Sequence, residues 1–213
     1  AIGWTPLIWA AQEGKVDVAE ILLDSGADVD IRGFNDETAL ILASAKGHNN
    51  MLEILIKNGA DVNAKAEGRV SNLMPLSPDI VAISRVLKNT TALMVAAQNG
   101  HIEVIRILIK NGADLNAQNQ NGSALLEAIA NGHSNIAEML IENGADFDLS
   151  NEGGRPAILV ASEYGDAFTV KLLLEKGADA NSKTRHGTSA LMFASNIEVA
   201  ELLLRNGADL NYR

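Results

Sequence analysis

A chain of 213 residues with 47% hydrophobic and only 4% aromatic residues has the apolar content of a folded protein. Its 27 acidic residues outnumber 17 basic ones, a net charge of −10, which argues against nucleic acid or anionic membranes as partners and is compatible with a basic protein partner. The absence of cysteine excludes disulfides, thiolate metal sites and a cysteine nucleophile; a cytoplasmic location is the default expectation, with a periplasmic or secreted one left open.

In chain order, the first predicted helix opens at Thr5-Pro6-Leu7 and the second runs through Val18–Leu23. Gly26-Ala27-Asp28 closes this pair. The opening triplet returns as Thr38-Ala39-Leu40, Thr91-Ala92-Leu93, Ser123-Ala124-Leu125, Pro156-Ala157-Ile158 and Ser189-Ala190-Leu191. Gly-Ala-Asp returns at Gly59, Gly112, Gly144, Gly177 and Gly207, in steps of 33, 53, 32, 33 and 30 residues. Between them lie Gly14, Gly47-His48, Gly100-His101, Gly132-His133 and Gly165. A hydroxyl at the opening position accepts a hydrogen bond from a free amide of the first turn. Small pairs such as Ala43-Ser44 and Ala96-Ala97 let helices approach closely. Glycine before the histidine leaves the first helix with positive φ, and Asp-x-Asn after the second favours a turn.

A period near 33 residues with this motif order resembles the ankyrin repeat. The resemblance covers the whole chain outside one insertion. It implies an all-α solenoid of helix-turn-helix units with β-turn fingers, in one domain spanning 1–213. Six units follow, at about 1–32, 33–65, 90–118, 119–150, 151–183 and 184–213. Two departures are visible: an apolar residue replaces the family's histidine in the opening motif of every unit, and Pro156 replaces a capping hydroxyl.

The 53-residue step holds an insertion, 66–89, placed where the family has its finger. Ser77, Pro78 and Asp79 read as a helix start, and Ile80, Ile83, Val86 and Leu87 share one helical face. Leu73-Met74-Pro75-Leu76 ahead of it is apolar without a period. Two readings stand: Leu73, Met74 and Leu76 anchor a partner, or they fold back over neighbouring helices. The last unit lacks the glycine turn and is clipped by about four residues. Ile8 and Trp9 fall near an open end, and the chain starts and stops almost directly on repeats, as a trimmed piece of something longer would.

No catalytic constellation is found. His48, His101 and His133 hold one repeat position, so they stack rather than converge, and a turn-stabilising hydrogen bond is the expectation. His186 stands alone in a finger. The aspartates of Gly-Ala-Asp recur once per unit and are expected to cap turns. Gly153-Gly154 lacks the lysine of a phosphate loop. Neither a metal nor a cofactor is expected, and the chain reads as no enzyme. No run reaches the ~18 apolar residues of a membrane helix, nor does any stretch read as a signal peptide.

The resemblance implies a protein or peptide partner docking on a concave face made of finger tips and first-helix ends. That column holds Trp4, Gln12 and Glu13, then Phe34, Asn35, Glu37 and Lys46, then Gln98, Asn99 and Asn131, and finally Arg155, Tyr164, Arg185 and His186. Aromatic residues and arginine are the usual interface anchors. Trp9 and Phe193 take more inward positions and are expected in the core. A monomeric interaction module is the reading; the alternative is a regulatory domain of a larger effector protein or enzyme.

Overall fold

The computed structural model describes residues 4–33, 36–66 and 88–211. Among these lie twelve helices and no strand. They are α1 (Pro6–Gln12), α2 (Val16–Asp24), α3 (Ala39–Lys46), α4 (Asn49–Lys57), α5 (Ala92–Asn99), α6 (Ile102–Lys110), α7 (Ala124–Ala130), α8 (Ser134–Glu142), α9 (Ala157–Tyr164), α10 (Ala167–Glu175), α11 (Ala190–Phe193) and α12 (Ile197–Arg205). The chain divides into two compact units, Ala1–Asp114 with α1–α6 and Leu115–Arg213 with α7–α12.

In each unit the odd-numbered helices form an inner layer and the even-numbered ones an outer layer. Inner helix α3 packs on α1 and α5 as well as on its own partner α4. Covered from three directions, Ala39 through Ser44 are all buried, as are Ala92 through Ala97 in α5. In the second unit α9 likewise packs on α7, α10 and α11. Such helices have to be apolar around most of their circumference, with small residues where neighbours come closest. Ser44 and Ser162 fit because each buried hydroxyl donates to the carbonyl four residues back, at 2.7 Å. Outer helices bury one stripe only, such as Met51, Leu52 and Leu55 in α4.

Capping follows the repeat with two exceptions. Thr5, Thr38, Thr91 and Ser189 each accept from the amide three residues on, at 3.3–3.4 Å. Pro156 stands at the N-cap of α9 with no side-chain bond. Ser123, expected to cap α7, does not: its hydroxyl is buried and unbonded. Thr38→Ala should therefore cost ~1 kcal/mol. Ser123→Ala should be neutral or slightly stabilising, since it removes an unsatisfied buried group. Chemical denaturation of the two variants checks the contrast.

Two hydrogen-bond ladders tie successive pairs together. His48 Nε2 donates to the Gln12 carbonyl at 3.2 Å, and His101 Nε2 to the Ala45 carbonyl at 3.1 Å. These are the expected turn bonds, but each reaches back to the preceding inner helix. Where the second unit has no histidine, Asp166 takes the place and accepts from Ser134 Oγ and the Thr169 amide. Asn196 does so in the last pair, donating to the Gly165 carbonyl. The second ladder runs through the asparagine of Asp-x-Asn. Asn63 Oδ1 accepts from the Asp114 amide at 2.7 Å while its Nδ2 donates to the Gly112 carbonyl. Asn181 does the same with Asp209 and Gly207. Asp28, Asp61, Asp146, Asp179 and Asp209 meanwhile cap their own turns, as Asp61 does for the Asn63 amide.

The insertion is bracketed by a bridge between Ala66 and Thr90, both buried, with the Ala66 amide donating to the Thr90 carbonyl at 2.9 Å. Arg32 Nη1 clamps the approach by donating to the Lys65 carbonyl at 2.7 Å. The expected helix after Ser77 and the anchors Leu73, Met74 and Leu76 lie outside the described residues. At the other end α11 has four residues, against seven to eight in the other inner helices. The missing turn is replaced by Ser195, whose amide and hydroxyl both donate to the Ser162 carbonyl.

Candidate functional site

Inner helices α3, α5, α7 and α9 offer solvent only their last residues and the hairpin that precedes each. In the first unit the helix-end positions are Glu13, Lys46, Gln98 and Asn99, all exposed. Gln12, expected beside them, is buried, and its carbonyl serves His48. Trp4 is half-buried rather than free. Its Nε1 donates to Glu37 Oε1 at 2.8 Å. That carboxylate is itself fully buried under Gly33, where an added Cβ would lie 2.6 Å from Oε1. Glu37 is thus a structural acceptor and not part of the exposed column. Phe34 and Asn35 lie outside the described residues.

Trp9 corrects an expectation, because it is 50% exposed. The same place in α3 and α5 holds Leu42 and Val95, both buried. Those helices have an inner helix on their upstream side, whereas no described helix precedes α1. Ile8 corrects the converse expectation of an open end and is fully buried.

In the second unit the exposed positions are Asn131, Tyr164, Arg185 and His186. Tyr164 ends α9 with most of its ring in solvent. Arg155 is half-buried, and its Nη1 donates to Glu163 Oε2 at 2.5 Å. Its guanidinium also lies 5.0 Å over the Phe193 ring. Phe193 is therefore half-buried under a cation instead of lying in the core. Such stacking desolvates one ring face and contributes about 0.5–2 kcal/mol. Arg185 lies against Gly154, where an added Cβ would be 2.8 Å from its Cγ.

Glu127 is a feature that motif reading missed. It occupies α7 at the place of Leu42 and Val95, nearly buried, and accepts from Asn121 Nδ2 at 3.0 Å. Burial pushes its carboxyl above the ordinary 4.5, and the bond from Asn121 offsets this only in part. A raised folded-state pKa means that folding favours the protonated form. The folded state carries no penalty below the ordinary value, and one develops as pH rises through the folded value. Glu127→Gln keeps an acceptor for Asn121 and should be more stable than the parent at about pH 7. Its advantage should vanish near pH 4. Thermal melts across that range read the difference directly.

Among the described residues there is no cluster of three or more His, Asp or Glu side chains able to hold a metal ion. No described helix is long and apolar enough to cross a membrane. An open groove of about 520 Å³ runs between outer helices α4 and α6, lined by Glu53, Lys57, Arg106 and Lys110 with Ile56 and Ile107. Its charges are mixed and Arg106 is partnered by Glu103 at 3.4 Å.

A family model described as "Ankyrin repeats (3 copies)" matches residues 1–66, 70–151 and 145–213. The chain belongs to the ankyrin repeat family, whose domains are generally protein–protein interaction modules. Among solved structures it is similar to the human ASB11 ankyrin repeat domain. That match has 28% identity over 99% of this chain and 87% of the other, with a TM-score of 0.77. It is also similar to an ankyrin repeat domain from Acinetobacter baumannii AYE, at 28% identity over 96% of this chain and 98% of the other, with a TM-score of 0.79. No curated protein sequence matches.

Proposed function

We propose that this chain is a non-catalytic module that binds a partner protein through its inner-helix ends and hairpin tips. In the first unit the surface is centred on Trp4, Glu13 and Lys46. In the second it is centred on Arg155, Tyr164, Arg185 and His186. The observation that carries the reading is Tyr164. It is a large aromatic held in solvent at the end of a helix whose first six residues are buried, and it directly follows the Glu163 that anchors Arg155. Aromatic and arginine side chains of this kind are the usual energetic centres of interfaces. The helices order the surface before contact, so little conformational freedom is lost on binding.

The insertion 66–89 is the second place for specificity, through Leu73, Met74 and Leu76. Affinity capture from the source organism's lysate separates the two. Three baits are compared: the intact chain, a chain with 67–88 replaced by a short turn, and Tyr164→Ala combined with Arg185→Ala. Circular dichroism establishes that all are folded. A partner lost with the double substitution and kept without the insertion supports the inner-helix face. One lost only with the insertion moves specificity there. Indifference to both changes overturns the reading.

A further inference from the structure

The net charge of −10 is spread unevenly over the outer helices. Outer helix α2 carries Asp17, Glu20 and Asp24 with no basic residue, and α8 carries Glu138 and Glu142 with none. In α10 Lys171 balances Glu175, and in α12 Glu198 and Glu201 outnumber Arg205. The groove between α4 and α6 reverses this balance, with Lys57, Arg106 and Lys110 against Glu53 and Glu103. Its two walls are successive helices packed directly on one another, so the groove is complete as it stands.

These charges are mixed in number but sorted in space. Lys57 and Lys110 are the last residues of α4 and α6, and both are exposed. Neither has a carboxylate partner among the described residues. The helix dipole favours a cation at such an end, but the repeat does not require one: α2, α8 and α10 end in Asp24, Glu142 and Glu175. Arg205 ends α12 and is held by Glu201 at 2.8 Å. Arg106, a turn before Lys110, stands where α2, α4, α8 and α12 all have glutamate, and it neutralises Glu103. That leaves Glu53, a turn before Lys57, as the one acidic group of the lining not offset by a pair. Ile56 and Ile107, both half-buried, add an apolar lining.

We propose that this groove binds an acidic, aliphatic segment of a partner protein. Carboxylates of the segment meet Lys57 and Lys110, and an aliphatic side chain lies against Ile56 and Ile107. Glu53 sets the direction, because it repels carboxylates from the other end of the groove. The volume of about 520 Å³ falls within the ~300–1,000 Å³ of clefts that enclose ligands. Charge complementarity selects this occupant: a basic segment would find Glu53 alone, and a free inorganic anion would leave the apolar lining unused. Nucleic acid is disfavoured by the charge of the whole chain. The groove lies on the outer layer, so it stands independently of binding at the inner-helix ends. It also takes the charge opposite to the one that the chain as a whole attracts.

Magnetic resonance titration of the full chain tests the proposal with three pools of random short peptides as probes. The first pool mixes Asp and Glu with Leu, Ile and Val. The second has Lys and Arg in place of the acids, and the third has Ser and Gly in place of the aliphatics. Only the first should shift the backbone amides of Glu53–Asn58 and Glu103–Asn111, with an apparent Kd below about 1 mM and weaker binding at higher salt. Lys57→Gln combined with Lys110→Gln should weaken this binding at least tenfold. Lys15→Gln combined with Lys176→Gln changes the net charge equally at exposed sites elsewhere and should leave it unchanged. Spectra unaltered away from the substituted sites show that both double variants are folded. No shift in α4 and α6 up to about 1 mM overturns the proposal. So does an equal response to either of the other pools, binding that survives loss of Lys57 and Lys110, or an equal loss in both double variants.

Discussion

Leu40→Ala is expected to destabilise the first unit by about 2–5 kcal/mol, whereas Ile21→Ala should change stability by no more than about 0.5 kcal/mol. Both substitutions shorten an aliphatic side chain on a helix, and the environments separate them. Leu40 is 1% exposed in α3, which packs on α1, α4 and α5 at once. Truncation removes buried methyl groups and leaves a cavity that three neighbouring helices would have to move to fill. Ile21 sits on the uncovered face of α2, and alanine there even gains helix propensity. In a stacked array each element feels mainly its neighbours. The Leu40 cavity should therefore show in hydrogen exchange as lost protection in α1, α3, α4 and α5. Urea denaturation gives the magnitudes. Equal effects at the two positions would mean that the inner layer is not packed as described.

Gly47→Ala should cost about 2–3 kcal/mol, and Gly112→Ala only ~1. Both glycines have positive φ, 74° and 81°, so any side chain there carries the left-handed penalty of roughly 1–2 kcal/mol. The difference is what the new methyl meets. At Gly47 it would lie 2.8 Å from His101 Nδ1, and at Gly112 nothing comes within 4 Å. Displacing the His101 ring also breaks its bond to the Ala45 carbonyl, worth about 0.5–1.5 kcal/mol. The excess should disappear in a His101→Ala background, where the ring is gone. A double-mutant cycle measures this coupling. No coupling would show that the histidine ladder does not hold the pairs in register.

Period and motif made the helices legible, because each signal acts locally. Thr at the opening, glycine at the exit and the apolar stripe depend on a few neighbouring residues. The clipped last pair was legible for the same reason, as a deletion from a known spacing. Exposure was not, since it depends on what lies in the next layer. Leu42 and Trp9 hold one repeat position, yet only the residue with a helix on both sides is buried. Of the candidate-face residues, Glu13, Lys46, Tyr164, Arg185 and His186 are exposed, and others are engaged within the fold. Gln12 is buried with its backbone carbonyl bonded by His48, and Arg155 is drawn onto Phe193 and Glu163. Glu127 was missed because a carboxylate at a mostly apolar position carries no motif. The asparagine ladder was missed because Asp-x-Asn already had a sufficient local role as a turn. Its second role joins residues 26 to 51 positions apart.

The most direct test is titration calorimetry with the captured partner. Tyr164→Ala and Arg185→Ala are compared with Phe168→Ala, an equally exposed aromatic on outer helix α10. An interface centred on the inner-helix ends predicts that Tyr164→Ala weakens affinity about thirtyfold, the mark of an anchor worth 2 kcal/mol. Arg185→Ala should weaken it less, and Phe168→Ala should leave it unchanged. A loss at Phe168 with none at Tyr164 would place the partner on the outer layer and contradict the assignment.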